Sequence, residues 1–543
     1  MPALFGLRDT RSDVNSSRAQ GLSATRAALA RALDIVGGRS SWWPAFTLAT
    51  WILLLRMAPI EWNQNEINYM DLALKSVAPE RFPALTAIFD ESAARFVRLG
   101  LLGLLADAFG LDPALVIGRL VNVVAYAAAL ATLARAWRLS LVEIALGLVI
   151  FLVASQNYFA GEWLFSGVEP KTLAYPAAIF AIAWASQGAG GRAVSAAALA
   201  TYFHFLVGGF WAVAALLLLA IRGTPLPRVA RLGAIYAGAV LPLLLVLIHE
   251  RLLAPAPDLS GLDLSLNQIY GAFRNPHHVA PFVSVGSFRS WIPGIAEMAA
   301  MSLLLALAWT TTRGASRPLA AWLLALHGYL AVCFVLAFLD RGTHVLAPFI
   351  IFRPNSLILL FALLLLVSWL YEVLPAMGER GLTVLALGAL IVHTSPPLAD
   401  IAFHVAQAKQ IPITPHLTAA PEAMIDWLRE TTAPKAVVIV EPTPATNWQT
   451  PWIAFERRIN RPTVVHFKFV PTAPQDLARW YRLVRWREAV FAGACGLLEK
   501  QPVDYLVVVQ HSTLDRMTRC GRVVWHRDGY GVIAVGKMLD NVS

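Results

Sequence analysis

Charged residues are scarce in this chain. Only 14% of its 543 residues are Asp, Glu, Lys or Arg, whereas an ordinary soluble domain carries about 25%. Hydrophobic residues make up 57% of the sequence, and the mean hydropathy is +0.59. This composition excludes a soluble enzyme, a disordered protein and a disulfide scaffold. It predicts a polytopic membrane protein.

Cysteine is also rare, with three residues in the whole chain. That number is too small for a disulfide framework. Cys333 lies in an apolar run and is expected to be a small buried hydrophobe. Cys495 and Cys520 could pair if their part of the chain faces an oxidising compartment. The sequence leaves that pairing open, because it does not tell whether the two Cβ atoms meet.

Apolar segments recur along the chain at lengths that suit a bilayer. The first follows an arginine-rich stretch and lies too far from the start for a cleavable signal peptide, so we interpret it as a retained helix. Segment 95–111 has its arginines at one end and predicts a helix lying on the membrane surface. The predicted spans number about eleven: 41–60, 114–134, 139–158, 172–188, 192–209, 210–221, 229–248, 291–311, 318–338, 348–371 and 381–397.

Arginine is concentrated in every second loop between these spans. Five loops, at 135–138, 192, 222–231, 313–317 and 380, are basic and almost free of acid. The positive-inside rule places them, and the tail 1–41, in the cytoplasm. The membrane domain is then 42–398 with outer loops 61–113 and 249–290, and an odd number of spans leaves 399–543 outside. Since these loops contain much of the basic excess, we expect no nucleic-acid partner.

Residues 399–543 predict a separate α/β domain. Helical apolar spacing at 420–432 and 475–495 alternates with short buried strands at 435–442, 461–469 and 503–509. A last pair of strands at 522–536 has a glycine in its turn. The predicted fold class is an α-helical polytopic membrane protein with a C-terminal extracytoplasmic α/β domain, which is large enough for its own core.

Ionisable and polar residues gather in the segments predicted to face outside. Ionisable residues at membrane depth are costly, and by default they mark a functional site. The candidate site residues are Asn65, Glu66, Tyr69, Asp90, Glu169, Lys171, His204, Arg274, His277, His278, Arg341, His344 and Arg353.

Some of these residues also have structural interpretations. Glu169 and Lys171 form either a structural ion pair or part of a site. His204, on an apolar helix, suits a packed core as well as a ligand. Arg353 is harder to explain structurally, because an unpaired guanidinium in an apolar run is expensive. Glu61 and Asp71, which are not candidates, are expected to be solvated loop acids.

A metal site is the alternative interpretation of the adjacent histidines. His277 and His278 could bind a metal together with Glu66 or Asp90. Adjacent histidines project differently, however, and no HxxxH or HxxE spacing supports such a site. We therefore expect no metal and no other cofactor.

Several motifs occur in an order that resembles a known superfamily. "NEINYMDLALKSV" after the first span resembles a segment of the GT-C glycosyltransferases of the aminoarabinose and protein-mannosyl transferase type. The following "AFGLDP" and "VIGRLVNVVAY" fit the same pattern, which covers about residues 42–210. The tail "MIDWLRETTAPKAVVIVEP" looks like the extracytoplasmic domain of such enzymes. The series "NExxY", "EPKTLAY", "RNPHH", "FRP" and "HFK" is also similar to a group of uncharacterised bacterial membrane proteins.

The resemblance has one departure. Where the related enzymes have Asp-Glu, this chain has Asn65-Glu66. The superfamily's catalytic acid is usually that Asp, so its role must pass to Glu66 or Asp90, or be absent.

The resemblance implies a glycosyltransferase in a bacterial inner membrane that acts on the periplasmic side. Such enzymes move a sugar from a polyprenyl-phosphate carrier to an acceptor glycan, lipid or protein, with inversion. The implied base is Glu66 or Asp90. The implied partners of the lipid phosphate are Lys171, Arg274, His277, His278 and Arg353. The implied further substrate contacts are Asn65, Tyr69, Glu169, His204, Arg341 and His344.

Two other function classes compete with this one. A non-catalytic subunit of the same fold would bind lipid-linked sugar in an envelope polysaccharide assembly, and Asn65 in place of Asp favours it. A transporter is the third class, but its inverted repeats and charged midplane helices are not evident in the sequence.

Overall fold

The computed structural model is mostly helical. It describes residues 41–57, 62–83, 85–90, 92, 95–154, 156–253, 255–314, 316–374, 381–395, 398 and 417–535. The predicted cytoplasmic tail therefore lies almost wholly outside the described residues. So do Glu61 and the predicted domain boundary at 398–399, apart from residue 398 itself.

Five of the described helices are long and apolar enough to cross a membrane. They are Leu111–Trp137, Leu226–Glu250, Val285–Thr311, Ser316–Leu339 and Asn355–Val373. Leu141–Val153, Phe205–Ile221 and Gly381–Ser395 are shorter apolar helices. The other helices of this part are Trp42–Met57, Gln64–Val77, Phe96–Phe109, Pro170–Ser186 and Gly190–Phe203. The apolar helices are consistent with a multi-pass membrane protein, while the number of about eleven spans stays a prediction.

The helix Gln64–Val77 begins at a capping box that also fixes Glu66. Asn63 Oδ1 accepts hydrogen bonds from the amides of Asn65 and Glu66, both at 2.9 Å. Glu66 Oε2 in return accepts from the Asn63 amide at 3.0 Å. Gly167 lies directly against this cap, since a Cβ there would fall 2.6 Å from Glu66 Oε1. The chain that leads to the helix Pro170–Ser186 is thereby held beside the start of Gln64–Val77.

A backbone break at His204 separates two apolar helices, Gly190–Phe203 and Phe205–Ile221. His204 has extended dihedrals, φ −154° and ψ 104°. The two helices then pack closely, because Gly208 has no Cβ to meet the Thr201 backbone. This break turns the His204 side chain toward the segment before the helix Asn355–Val373, where it contacts Arg353.

Residues 417–535 form a small α/β unit, called here the C-terminal unit. Its four strands are β1 (Val438–Val440), β2 (Tyr505–Val508), β3 (Gly521–Arg527) and β4 (Tyr530–Val535). The sheet order is β1-β2-β4-β3, with β1 and β2 parallel and the other pairs antiparallel. Its longer helices are Ala419–Thr431, Pro474–Phe491 and His511–Met517. Its shorter α-helices are Pro444–Trp448, Thr450–Ile453 and Phe455–Ile459.

The strand predicted at 461–469 is wrong. Only Thr463 makes a bridge there, to Val438. The carbonyls that a sheet neighbour would need are bonded otherwise: Trp480 Nε1 donates to the His466 carbonyl at 3.1 Å. Arg274 donates to the carbonyls of residues 467 and 468 at 3.1 and 3.2 Å. The segment therefore forms a turn that contacts the helical part.

The C-terminal unit docks on the helical part through charged side chains that are buried or partly buried. Arg457 Nη1 lies 3.4 Å from Asp71 Oδ1, and Arg457 Cζ lies 4.6 Å from the centre of the Trp62 ring. Glu456 accepts hydrogen bonds from the Thr86 hydroxyl and the residue 87 amide. Asp71 is buried, so the expectation of a solvated acid is wrong. Its position is fixed by an arginine nearly four hundred residues away.

One of the three cysteines is buried, and the other two form a disulfide bond. Cys333 is buried among apolar side chains, as expected. Cys495 and Cys520 form a disulfide with 5.0 Å between their Cα atoms. The bond joins the short helical segment Cys495–Lys500 to the start of β3.

Candidate functional site

A single buried carboxylate, Glu162, contacts basic side chains from three separate segments. It is 0% exposed, and Lys171 Nζ lies 2.7 Å from its Oε2. Arg353 Nε lies 3.1 Å and His278 Nδ1 3.8 Å from its Oε1. Burial alone would raise the pKa of this carboxyl, but Lys171 and Arg353 outweigh burial and lower it. Glu162 is therefore ionised and holds the cluster together.

Lys171 extends the cluster to a second carboxylate. Its Nζ lies 3.0 Å from Glu169 Oε1 and 4.5 Å from the centre of the Trp163 ring. Glu169 Oε2 accepts a hydrogen bond from Asn65 Nδ2 at 3.1 Å. Asn65, the position at which the sequence departs from the pattern that it resembles, thus contacts a carboxylate from a distant segment.

Arg353 connects this cluster to an apolar cavity. Its Nη1 lies 2.8 Å from His204 Nε2, and because a guanidinium only donates, the histidine nitrogen accepts. The adjoining cavity has a volume of about 170 Å³, and of the described residues that line it Arg353 alone is charged. Aromatic side chains form much of the wall: Tyr175, Phe210, Trp211, Tyr329 and Phe349.

A second group of cations surrounds Trp448 of the C-terminal unit. Arg274 Cζ lies 4.7 Å and Lys468 Nζ 5.5 Å from the centre of the Trp448 ring. The rings of His277 and His278 are 4.0 Å apart, and His277 is 6.1 Å from Trp448. Within the described part of the chain, neither Arg274 nor Lys468 has a carboxylate within ion-pair distance.

The protonation states of this second group follow from burial and mutual repulsion. Burial, with Arg274 next, lowers the pKa of Lys468 to about 7. Burial and then Arg274 lower the pKa of His277 to about 4, and burial lowers that of His278 to about 3. At neutral pH both histidines are therefore neutral, Arg274 is charged, and Lys468 is about half protonated.

The two acids proposed from sequence as bases lie outside the cluster. Glu66 is fully buried, forms a two-point ion pair with Arg119 at 2.9 and 2.6 Å, and accepts the Val168 amide at 2.8 Å. The Asp90 side chain is 88% exposed and pairs with Lys75 at 2.9 Å. The base role of Glu66 or Asp90 stays a prediction, but their contacts do not favour it.

The remaining candidates divide between the cluster and its surroundings. Tyr69 is close enough to Arg274 and Arg353 to influence the pKa of each. Arg341 is exposed and donates to the Phe338 carbonyl at 2.8 Å. His344 is buried against Gly271 and is not one of the ion-pair partners given above for Glu162.

Sequence reasoning did not identify three residues that the geometry makes central. Glu162 was visible as an acid in an apolar segment, "GEWLFSG", which is the kind of residue that needs a partner. Lys468 stands in "HFKF", a cation between two aromatic residues. Trp448 had no signal in the sequence, because its importance comes from contacts with distant segments.

Comparisons with known proteins add no family to these observations. No protein-family model matches the chain, and no curated protein matches it. Among the residues with a described position, no three or more His, Cys, Asp or Glu side chains are grouped to hold a metal.

Proposed function

We propose that this chain is a GT-C-type glycosyltransferase of a bacterial inner membrane. It would take a sugar from a polyprenyl-phosphate carrier and pass it, with inversion, to an acceptor on the periplasmic side. The observation that carries the proposal is Arg353, which joins an apolar cavity to a buried network of acids and bases. A ligand with a hydrocarbon chain and an anionic head fits this junction.

Glu169 is the best-placed base for that reaction. Its Oε2 is oriented by Asn65 and its Oε1 lies beside Lys171 without hydrogen-bond geometry. In the proposed step, the acceptor hydroxyl gives its proton to Glu169 while its oxygen bonds to the sugar's anomeric carbon. The bond from that carbon to the phosphate oxygen breaks, and the lipid phosphate leaves with the electron pair. Glu169 thus replaces the acid missing at position 65.

Two further features support the predicted sidedness. The disulfide between Cys495 and Cys520 suits an oxidising compartment. The basic loops predict the same orientation for the C-terminal unit. Together they support a C-terminal unit in the periplasm, which an odd number of spans, about eleven, would require.

The test is the release of the lipid carrier, which does not depend on knowing the sugar. The purified protein in lipid nanodiscs would receive undecaprenyl-phosphate-linked sugars and a periplasmic extract, with free undecaprenyl phosphate measured by mass spectrometry. Glu169→Gln should lower the rate by about 10²–10⁴-fold. Glu430→Gln changes an acid whose side chain is 72% exposed and should leave the rate unchanged. Equal rates of carrier release by the wild type and Glu169→Gln would show that Glu169 is not the base.

A second candidate function is a binding subunit of the same fold that does not transfer sugar. The buried carboxylates Glu162, Glu169 and Glu66 all have a cation within ion-pair distance. Carboxylates compensated in this way are typical of structural networks. Binding of lipid-linked sugar without any carrier release would favour this alternative.

A further inference from the structure

The positive charge near the site is not evenly compensated. Lys171 and Arg353 are matched by the carboxylates of Glu162 and Glu169, two against two. Arg274 and Lys468 have no such match, so they leave one uncompensated positive charge at Arg274 and a second wherever Lys468 is protonated. Both face the same ring, Trp448.

Arg274 is held in place by groups that cannot neutralise it. Its side chain donates to two backbone carbonyls of the C-terminal unit and to the Asn275 amide oxygen. These neutral acceptors orient the guanidinium but carry no negative charge. A buried cation without a counter-ion is unfavourable, and an anion beside it would remove that cost. The arrangement is what an anion-binding subsite requires.

Lys468 brings the C-terminal unit into the site itself. It lies in the turn whose backbone carbonyl Arg274 binds, and Glu169 and Lys171 are both near enough to affect its charge. The two uncompensated cations therefore lie beside the proposed base rather than on a remote surface.

We propose that Arg274, Lys468 and Trp448 form a subsite for a phosphate monoester dianion, with Lys468 and Trp448 supplied by the C-terminal unit. The inference rests on the proposed function for the identity of its ligand, the departing lipid phosphate. A sugar-linked phosphodiester carries one negative charge, whereas a monoester carries about −1.5 to −2 at pH 7. Two uncompensated cations suit the second species better. The subsite would stabilise charge that develops as the sugar leaves.

Binding of short phosphate esters tests the subsite without any transfer reaction. Isothermal titration calorimetry of the full chain in detergent at pH 7 would compare three probes: geranyl phosphate, its methyl diester and inorganic phosphate. Lys468→Gln should lower the affinity for geranyl phosphate about 10- to 100-fold, as expected for loss of one charge-assisted hydrogen bond. The affinity for the methyl diester should fall less. Lys435→Gln, an exposed lysine of the same unit, is the matched control and should bind as the wild type does.

The outcomes separate the subsite from the function. Unchanged affinity of Lys468→Gln for geranyl phosphate overturns the subsite, whatever happens to sugar transfer. If inorganic phosphate binds as tightly as geranyl phosphate and Lys468→Gln weakens both, the subsite stands and its lipid source is overturned. Arg274→Gln could fail to fold because it removes docking contacts, so Lys468→Gln decides the test.

A pH series adds an independent readout. Because the pKa of Lys468 is lowered to about 7, its charge is present below that pH and lost above it. Affinity for geranyl phosphate should fall at least about 10-fold from pH 7 to pH 9. The Lys468→Arg variant stays charged and should keep its affinity for geranyl phosphate from pH 7 to pH 9. An equal fall in affinity for the wild type and Lys468→Arg would contradict the assignment of this pH dependence to Lys468. The charged and titratable groups that face Lys468 are Arg274, Glu169, Lys171, His277 and His466.

Discussion

Replacing Glu162 by Gln should destabilise the whole protein more than any exposed charge change. The Glu162 side chain is 0% exposed, and its partners Lys171 and Arg353 are 9% and 15% exposed. At these depths solvent screens the charges poorly. Breaking a buried pair by removing one partner costs about 3–5 kcal/mol, because the other charge stays buried without compensation. Here Arg353 loses its carboxylate, while Lys171 keeps Glu169 at 3.0 Å.

The assay is thermal unfolding of the purified protein in detergent, followed by tryptophan fluorescence. Asp426→Asn is the matched control, since it breaks a pair with Arg429 in which both side chains are about half exposed. Such a pair is worth about 0–1 kcal/mol. The unfolding midpoint of Glu162→Gln should fall by several degrees, while that of Asp426→Asn should hardly move.

The same substitution has a second consequence for ligand binding. Glu162→Gln adds one uncompensated positive charge to the cluster, so geranyl phosphate should raise its unfolding midpoint more than it raises that of the wild type. The double variant Glu162→Gln/Arg353→Gln should recover part of the lost stability, because it removes the cation that Glu162→Gln leaves unpaired. An unfolding midpoint of Glu162→Gln equal to that of the wild type would refute the reasoning, since it would mean that the charges are well solvated.

Three other predictions concern the fold and its orientation. Reduction of the Cys495–Cys520 disulfide, which spans 25 residues, should lower the stability of the C-terminal unit by about 3 kcal/mol, measured as a lower unfolding midpoint in dithiothreitol. Alkaline phosphatase fused after Leu398 should be active and one fused at Arg228 silent; the reverse pattern would invert the topology. Glu66→Gln should lower the unfolding midpoint, because the arginine partner is only 11% exposed; a stable variant without transfer activity would instead restore the base assigned from sequence.

Local patterns predicted much of the secondary structure. The helices at 420–432 and 475–495 and the last pair of strands were all visible, because apolar periodicity and turn residues are local signals. The break between the predicted spans 192–209 and 210–221 falls at His204, about five residues earlier than predicted, since the apolar composition continues through that residue. The strand expected at 461–469 also failed, because Arg274 and Trp480 bind the carbonyls that a neighbouring strand would use.

The site was harder to predict than the helices because its residues are defined by ion pairs between segments that are far apart in the sequence. Sequence could suggest that Lys171 and Arg353 need partners, but it could not assign one carboxylate, Glu162, to both. Glu66 seemed the natural base from its position after the first span. Its contact with Arg119, fifty-three residues away, is a tertiary fact that no local pattern contains.

The contacts of Arg274 would link docking of the C-terminal unit to the proposed anion binding. Its guanidinium donates to the carbonyls of Phe467 and Lys468, and the same contacts place Lys468 beside it over Trp448. Two adjacent cations repel, so the docked arrangement is costly until an anion lies between them. Linkage is reciprocal: a ligand that binds only the docked arrangement must also strengthen docking, by the same free energy. The departing phosphate would therefore hold the C-terminal unit against the helical part, and its release would loosen that contact.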